Sequence, residues 1–151
     1  MRILAALALL PLAACSGSLD PEAARTEVER MVKAYHKAYD AAEIENVLIM
    51  LDADISIPNP PSSFFVGRAK VGEALTKGME DIKARHKVGK RSTYLGEIRI
   101  VIEERIAVAT YDAKISEEGS PPSIATFTRV FRHSDGRWRI LSEHYSYSAD
   151  K

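Results

Sequence analysis

Ser134-Asp135-Gly136-Arg137 separates two long alternating runs, at about 122–133 and 137–148. Asp-Gly readily adopts the positive φ angles of a two-residue turn, so this segment predicts a tight β-hairpin. Two further runs, at about 91–102 and 105–117, precede it, and Gly119-Ser120-Pro121-Pro122 parts the middle strands. Four such strands in succession predict an antiparallel meander. A sheet of this kind buries one face and leaves the other for solvent or a partner.

The segment ahead of the meander reads as helices. Asp20 can cap, Pro21 suits a first helical position, and Glu22 favours the positive end of the helix dipole. Val28, Met31, Val32, Tyr35, Ala38, Tyr39 and Ala42 then follow helical spacing, which predicts a helix over about 21–41. A shorter helix is expected from Glu43 to Leu51. Asp52-Ala53-Asp54 sits at a helix-to-strand junction, where capping and turn roles are the default for carboxylates. A short strand, Ile55 to Ile57, follows, then a rigid loop at Pro58-Asn59-Pro60-Pro61. Phe64 to Val66 reads as a strand. A third helix is expected from Arg68 to Arg85, with Val71, Leu75, Met79 and Ile82 on one side. Helices first and strands afterwards predict an α+β fold, with three N-terminal helices packed on a curved, mainly antiparallel sheet.

With 151 residues, the chain has room for one domain. Twenty-one basic and 21 acidic residues balance, which argues against a nucleic-acid partner. A single cysteine excludes an internal disulfide framework and a multi-Cys metal site. His36, His86, His133 and His144 lack a metal-type spacing, and no Gly-rich phosphate loop occurs, so no metal and no cofactor are expected. His86 lies in a basic stretch, Lys83 to Arg91, expected to be a solvated loop within reach of lipid headgroups.

The N-terminus reads as an address. Arg2 precedes an apolar run, Ile3 to Leu12, too short to span a bilayer, and small residues follow it. Leu12-Ala13-Ala14-Cys15 resembles the lipobox of bacterial lipoproteins. That resemblance implies cleavage after residue 14 and lipidation of Cys15, hence a membrane anchor in the cell envelope. Ser16 at the second mature position resembles the enteric-type signal for the outer membrane, here its periplasmic face. The expected divisions are a signal peptide at 1–14, lipidated Cys and tether at 15–19, a domain at 20–148 and a tail at 149–151.

Register places side chains. With Asp135-Gly136 as the turn, His133 faces Trp138, Phe131 faces Ile140, Arg129 faces Ser142 and Phe127 faces His144, all on one side. We assign that aromatic side to the helix-facing interior. With Glu103-Glu104 at the other turn, Ile98, Ile100 and Ile102 share a side with Ala107, Ala109, Tyr111 and Ala113. Small alanines there leave room for helix contact or for a cavity.

The order of elements resembles the nuclear-transport-factor-2-like superfamily. The closing run from Thr126 to Arg132, then Asp135-Gly136-Arg137-Trp138-Arg139-Ile140 and His144-Tyr145-Ser146, resembles its SnoaL-like branch, as does Gly67-Arg68-Ala69-Lys70-Val71. The resemblance implies a cone-shaped fold with an internal cavity, used by isomerases, cyclases, dehydratases, hydrolases and non-catalytic binders alike. Ala42-Glu43 stands where many relatives carry Gly-Asp, and Asn59 where many carry an acid, which weakens transfer of a carboxylate mechanism.

Within such a cavity His144 is the candidate general base, or else it and Ser142 satisfy buried partners. Arg129 would bind an anionic ligand or steady an oxyanion, or form an ion pair with Asp54 or Glu43. Tyr111 and Tyr39 offer hydroxyls, Trp138 faces inward, Asn59 marks the mouth, and Asp54 is a further candidate. Three readings follow: a binder of a small apolar or anionic molecule; an enzyme using His144; or a non-catalytic module that dimerises through its outer sheet, as relatives commonly do.

Overall fold

In the computed structural model, which describes residues 19–59, 63–85 and 90–148, Asp20 caps the first helix, α1 (Pro21–Asp40). Its carboxylate accepts the Glu22 N–H at 3.1 Å, and Pro21 occupies the first turn. The expected signal segment, Cys15 and most of the tether lie outside the described residues. So do Pro60, Pro61, His86 and the tail, and the side chains of Asn59 and Ile82. Val28, Val32, Tyr35 and Ala38 are buried along the predicted stripe of α1, with Ala24 one turn before it, and His36 is buried beside them.

Helix α2 covers only Ile44–Leu48, because strand β1 begins at Leu51 and runs to Asn59. Asp52 and Asp54 are therefore strand residues, not junction caps. Pro58 and Asn59 also belong to β1, paired with Phe64 and Ser63 of β2 (Ser63–Val66). The proline is tolerated because it lies beyond Ser56, the last β1 residue paired with β7, where no further ladder bond is lost. Helix α3 (Arg68–Arg85) comes after this hairpin, so the helices are not all N-terminal as expected.

One sheet collects all seven strands in the order β2-β1-β7-β6-β5-β3, with β4 also on β5. It is mixed, since β1 runs parallel to β7 while the other pairings are antiparallel. The run expected at 91–102 is two strands, β3 (Arg91–Leu95) and β4 (Arg99–Glu103). They part at Gly96, whose N–H donates to the Asp112 carbonyl at 2.9 Å; a Cβ there would approach that oxygen to 3.3 Å. Strand β5 (Ile106–Glu117) pairs its first half with β4 and its second with β3. The β4–β5 turn falls at Glu104-Arg105, one residue later than expected, with Glu104 at φ 51. The facing residues keep their parity, so Ile100, Ala107, Ala109, Tyr111 and Ala113 are buried on the inner side.

Strands β6 (Ser123–Ser134) and β7 (Arg137–Tyr147) turn at Asp135 and Gly136, with φ 51 and 73. His133 pairs with Trp138 and Phe131 with Ile140, as expected. The next partner of β6, Val130, pairs with Ser142, leaving Leu141 as an extra residue in β7. Such a bulge reverses which side chains face inward beyond it. Arg129 consequently pairs with Glu143, and Phe127 with Tyr145. The expected pairings of Arg129 with Ser142 and of Phe127 with His144 do not form.

Candidate functional site

The inner face of β5, β6 and β7, together with the C-terminal half of α1, encloses a cavity of ≈ 130 Å³. Arg129 reaches it from β6 and has no exposure at all. Its Nε donates to Glu143 Oε2, and Glu143 is 8% exposed. The guanidinium carbon lies 3.7 Å from the Tyr35 ring centroid, with Phe127 and Tyr111 rings at 5.4 and 5.8 Å. Arg129 Nη1 and Nη2 are buried and have no hydrogen-bond partner. Burial works against the charge, but the Glu143 carboxylate together with Tyr111 and Tyr35 outweighs it and holds the guanidinium pKa above its ordinary value.

Behind Arg129, His36 Nε2 and Tyr111 Oη are 2.9 Å apart. Burial first, then the Arg129 and Arg91 charges, lower the His36 pKa to about 2. The imidazole is neutral, and Phe127 stands edge-on to it with ring centroids 5.1 Å apart. Burial raises the phenol pKa of Tyr35, Tyr39, Tyr111 and Tyr145. The site thus disfavours phenolate formation at each of these walls.

A second guanidinium closes one side. Arg91 pairs with Asp40 and, at 3.1 Å, with Glu117, and lies 4.9 Å from the Tyr39 ring centroid. Asp40 also accepts the Thr93 N–H at 2.7 Å and its hydroxyl at 2.8 Å, tying the end of α1 to β3.

Of the residues singled out in the sequence, Arg129 and Tyr39 line the cavity, and Tyr111 lies directly behind His36. Trp138 is buried against His133, with ring centroids 5.2 Å apart, and does not line it. Asn59 ends β1, on the strand that supplies Ile57 and Pro58 to the wall. Asp54 is turned outward, its side chain 72% exposed and 2.8 Å from Arg132. Asp52, buried, accepts the Arg132 Nε at 3.0 Å, so these two acids clamp β1 to β6 on the outer side. Burial tends to raise the Asp52 pKa, but the Asp54 N–H at 2.9 Å and Arg132 outweigh it and hold the carboxyl below its usual range. Neither Asp54 nor Glu43 pairs with Arg129; Glu43 accepts from Asn46 at 2.7 Å. His144 is exposed on the outer side, opposite Thr128, because the bulge at Leu141 turned it there.

Sequence reasoning missed Tyr35, His36, Arg91, Glu143 and Tyr145 as wall residues. The signal for Glu143 and Tyr145 is a change of parity within β7. Bulky residues occupy even positions at Trp138 and Ile140, then odd ones at Tyr145 and Tyr147.

The fold is shared with solved structures of low identity. A candidate dehydratase of the NTF2-like family from Streptomyces avermitilis superposes with a TM-score of 0.72 at 18% identity, covering 86% of this chain and 100% of that one. An NTF2-like protein of unknown function from Pseudomonas putida gives 0.74 at 18% identity, over 89% and 92% of the two chains. An uncharacterised protein with a cystatin-like fold from Caulobacter vibrioides gives 0.69 at 17% identity, over 83% and 89%. No curated protein matches the sequence. The SnoaL-like domain matches residues 28–150, which is most of the molecule, and the chain belongs to that family.

Proposed function

We propose that this chain is an envelope-anchored lipoprotein whose SnoaL-like domain binds a small molecule in the cavity beneath α1. One observation carries the binding reading: Arg129 Nη1 and Nη2 are fully buried at the cavity wall without a partner. Buried donors left unpaired are costly, and a ligand oxygen would satisfy them. The anchor reading rests on the lipobox resemblance at Cys15, and the outer-membrane placement on Ser16. Pairing of two copies through the outer sheet is supported by Val101, Ile106 and Ile124, exposed on that side.

Native mass spectrometry of the whole chain, released gently from membranes, tests binding. A stoichiometric small molecule is expected on the wild type and not on Leu75→Trp, which fills the cavity. A bare wild-type mass would count against the reading. For the anchor, Cys15→Ser should abolish incorporation of a labelled fatty acid, and the chain should leave the membrane fraction. Labelling that persists in the serine variant would overturn it.

An enzymatic reading also has one feature in its favour. Glu143 places a carboxylate in the buried wall, in the position from which His144 is displaced. As a general base it would act beside Arg129, which could steady a developing negative charge. The candidate dehydratase from Streptomyces avermitilis, similar in fold, makes elimination the first reaction class to assay.

A further inference from the structure

Resting on the binding reading, we propose that the ligand is uncharged: a small, flat molecule whose carbonyl-type oxygen is received by Arg129 Nη1 and Nη2, with carboxylates rejected. Arg129 invites the opposite conclusion, since a buried guanidinium ordinarily suggests an anion. The charges around it decide otherwise. Glu143 already neutralises Arg129 through Nε. Arg91, the other cation of the wall, is held between Asp40 and Glu117. His36 is neutral. Among the described residues, two guanidiniums are thus matched by three carboxylates, and no cation is left over for a ligand carboxylate.

A ligand anion at the free Nη atoms would also sit close to Glu143, which is bound to the same guanidinium. Two like charges in a wall of low polarity repel strongly, and the ligand would first have to lose its hydration. An uncharged carbonyl meets the same two donors without either cost. The raised phenols of Tyr35, Tyr39 and Tyr145 report the same hostility to negative charge.

Size and shape follow from the walls. The volume of ≈ 130 Å³ compares with the roughly 150 Å³ cavity that accepts a benzene ring. Leu75, Ile115, Phe127 and Tyr145 offer apolar and aromatic surface around it. One unsaturated ring with one carbonyl substituent fits this description, and longer molecules would extend past Tyr145 and Tyr147 at the exposed rim.

The experiment compares benzamide with benzoate, two rings of equal size differing in charge, by ligand-detected NMR titration on the whole chain. Benzamide should bind about tenfold or more tightly than benzoate, because only the anion meets the Glu143 charge and gives up a charged group's hydration. Arg129→Lys keeps the charge opposite Glu143 but removes the Nη1 and Nη2 donors, and should erase most of the benzamide affinity. Leu75→Trp should lose both ligands, and serves equally should the lysine variant not fold. Benzoate binding as tightly as benzamide, with loss in Leu75→Trp, would overturn the uncharged ligand and leave the cavity reading standing. Benzamide affinity unchanged in a folded Arg129→Lys would remove Arg129 from recognition. Neither compound binding, on a chain that also carries no small molecule by mass, would sink both.

Discussion

Arg129 and Glu143 form a buried ion pair across β6 and β7, and only Nε of the guanidinium is engaged by the carboxylate. Removing one member strands the other's charge, at a cost of about 3–5 kcal/mol. Arg129→Met and Glu143→Leu should each lower urea stability by that order. The double variant should recover much of the loss, because no lone charge remains. Two additive losses would mean that the pair does not act as a unit.

The bulge at Leu141 decides which side of β7 meets the cavity. Deleting Leu141 restores unbroken pairing and leaves Glu143 opposite Arg129 and His144 opposite Thr128, because the residue removed is the unpaired one. Arg129 then keeps its counter-charge, so the deletion should cost clearly less than the ~3–5 kcal/mol expected for Glu143→Leu, which strands it. Thermal unfolding of the two variants distinguishes them, and equal melting temperatures would contradict the argument.

His36 couples folding to pH. Its pKa is about 2 in the fold and near 6.5 when unfolded, so the unfolded chain takes up a proton that the folded one refuses. The stability it contributes is complete above pH 6.5 and declines as pH falls below that value, by about 1.4 kcal/mol per unit. Urea midpoints measured from pH 7.5 to 4.5 should therefore fall more steeply for the wild type than for His36→Gln. Parallel slopes would show that the imidazole is not buried neutral.

His144 faces solvent opposite Thr128. His144→Ala should change stability by no more than about 0.5 kcal/mol, the usual range for surface substitutions. It should also leave benzamide affinity unaltered. A large loss of binding would place the side chain at the site after all.

Much of the architecture is legible because it rests on local chemistry. The Asp20-Pro21 start, the Asp135-Gly136 turn and the alternation along β5 and β6 each have a backbone cause within a few residues. Arg129 and Tyr39 follow from that alternation and from helical spacing. The wall from β7 does not, since counting from the hairpin assumes an unbroken ladder. One extra residue at Leu141 inverted every assignment after it, exchanging His144 and Ser142 for Glu143 and Tyr145. The parity of the aromatic residues and the need of Arg129 for a carboxylate together contained the correction. Arg91 and His36 were hidden for another reason. Charged and polar residues on a helix or an edge strand look solvent-facing until tertiary packing covers them.

The break at Gly96 divides the work of the long helix. The half of α1 that starts at Pro21 is tied to β4, where Arg25 donates to the Ile100 carbonyl at 2.5 Å. The half that ends at Asp40 is strapped to β3 and carries Tyr35, His36 and Tyr39 to the cavity. One end of the helix is a foundation and the other a lintel over a doorway. Altered side chains at the foundation can therefore retune heat resistance while the doorway keeps its selectivity.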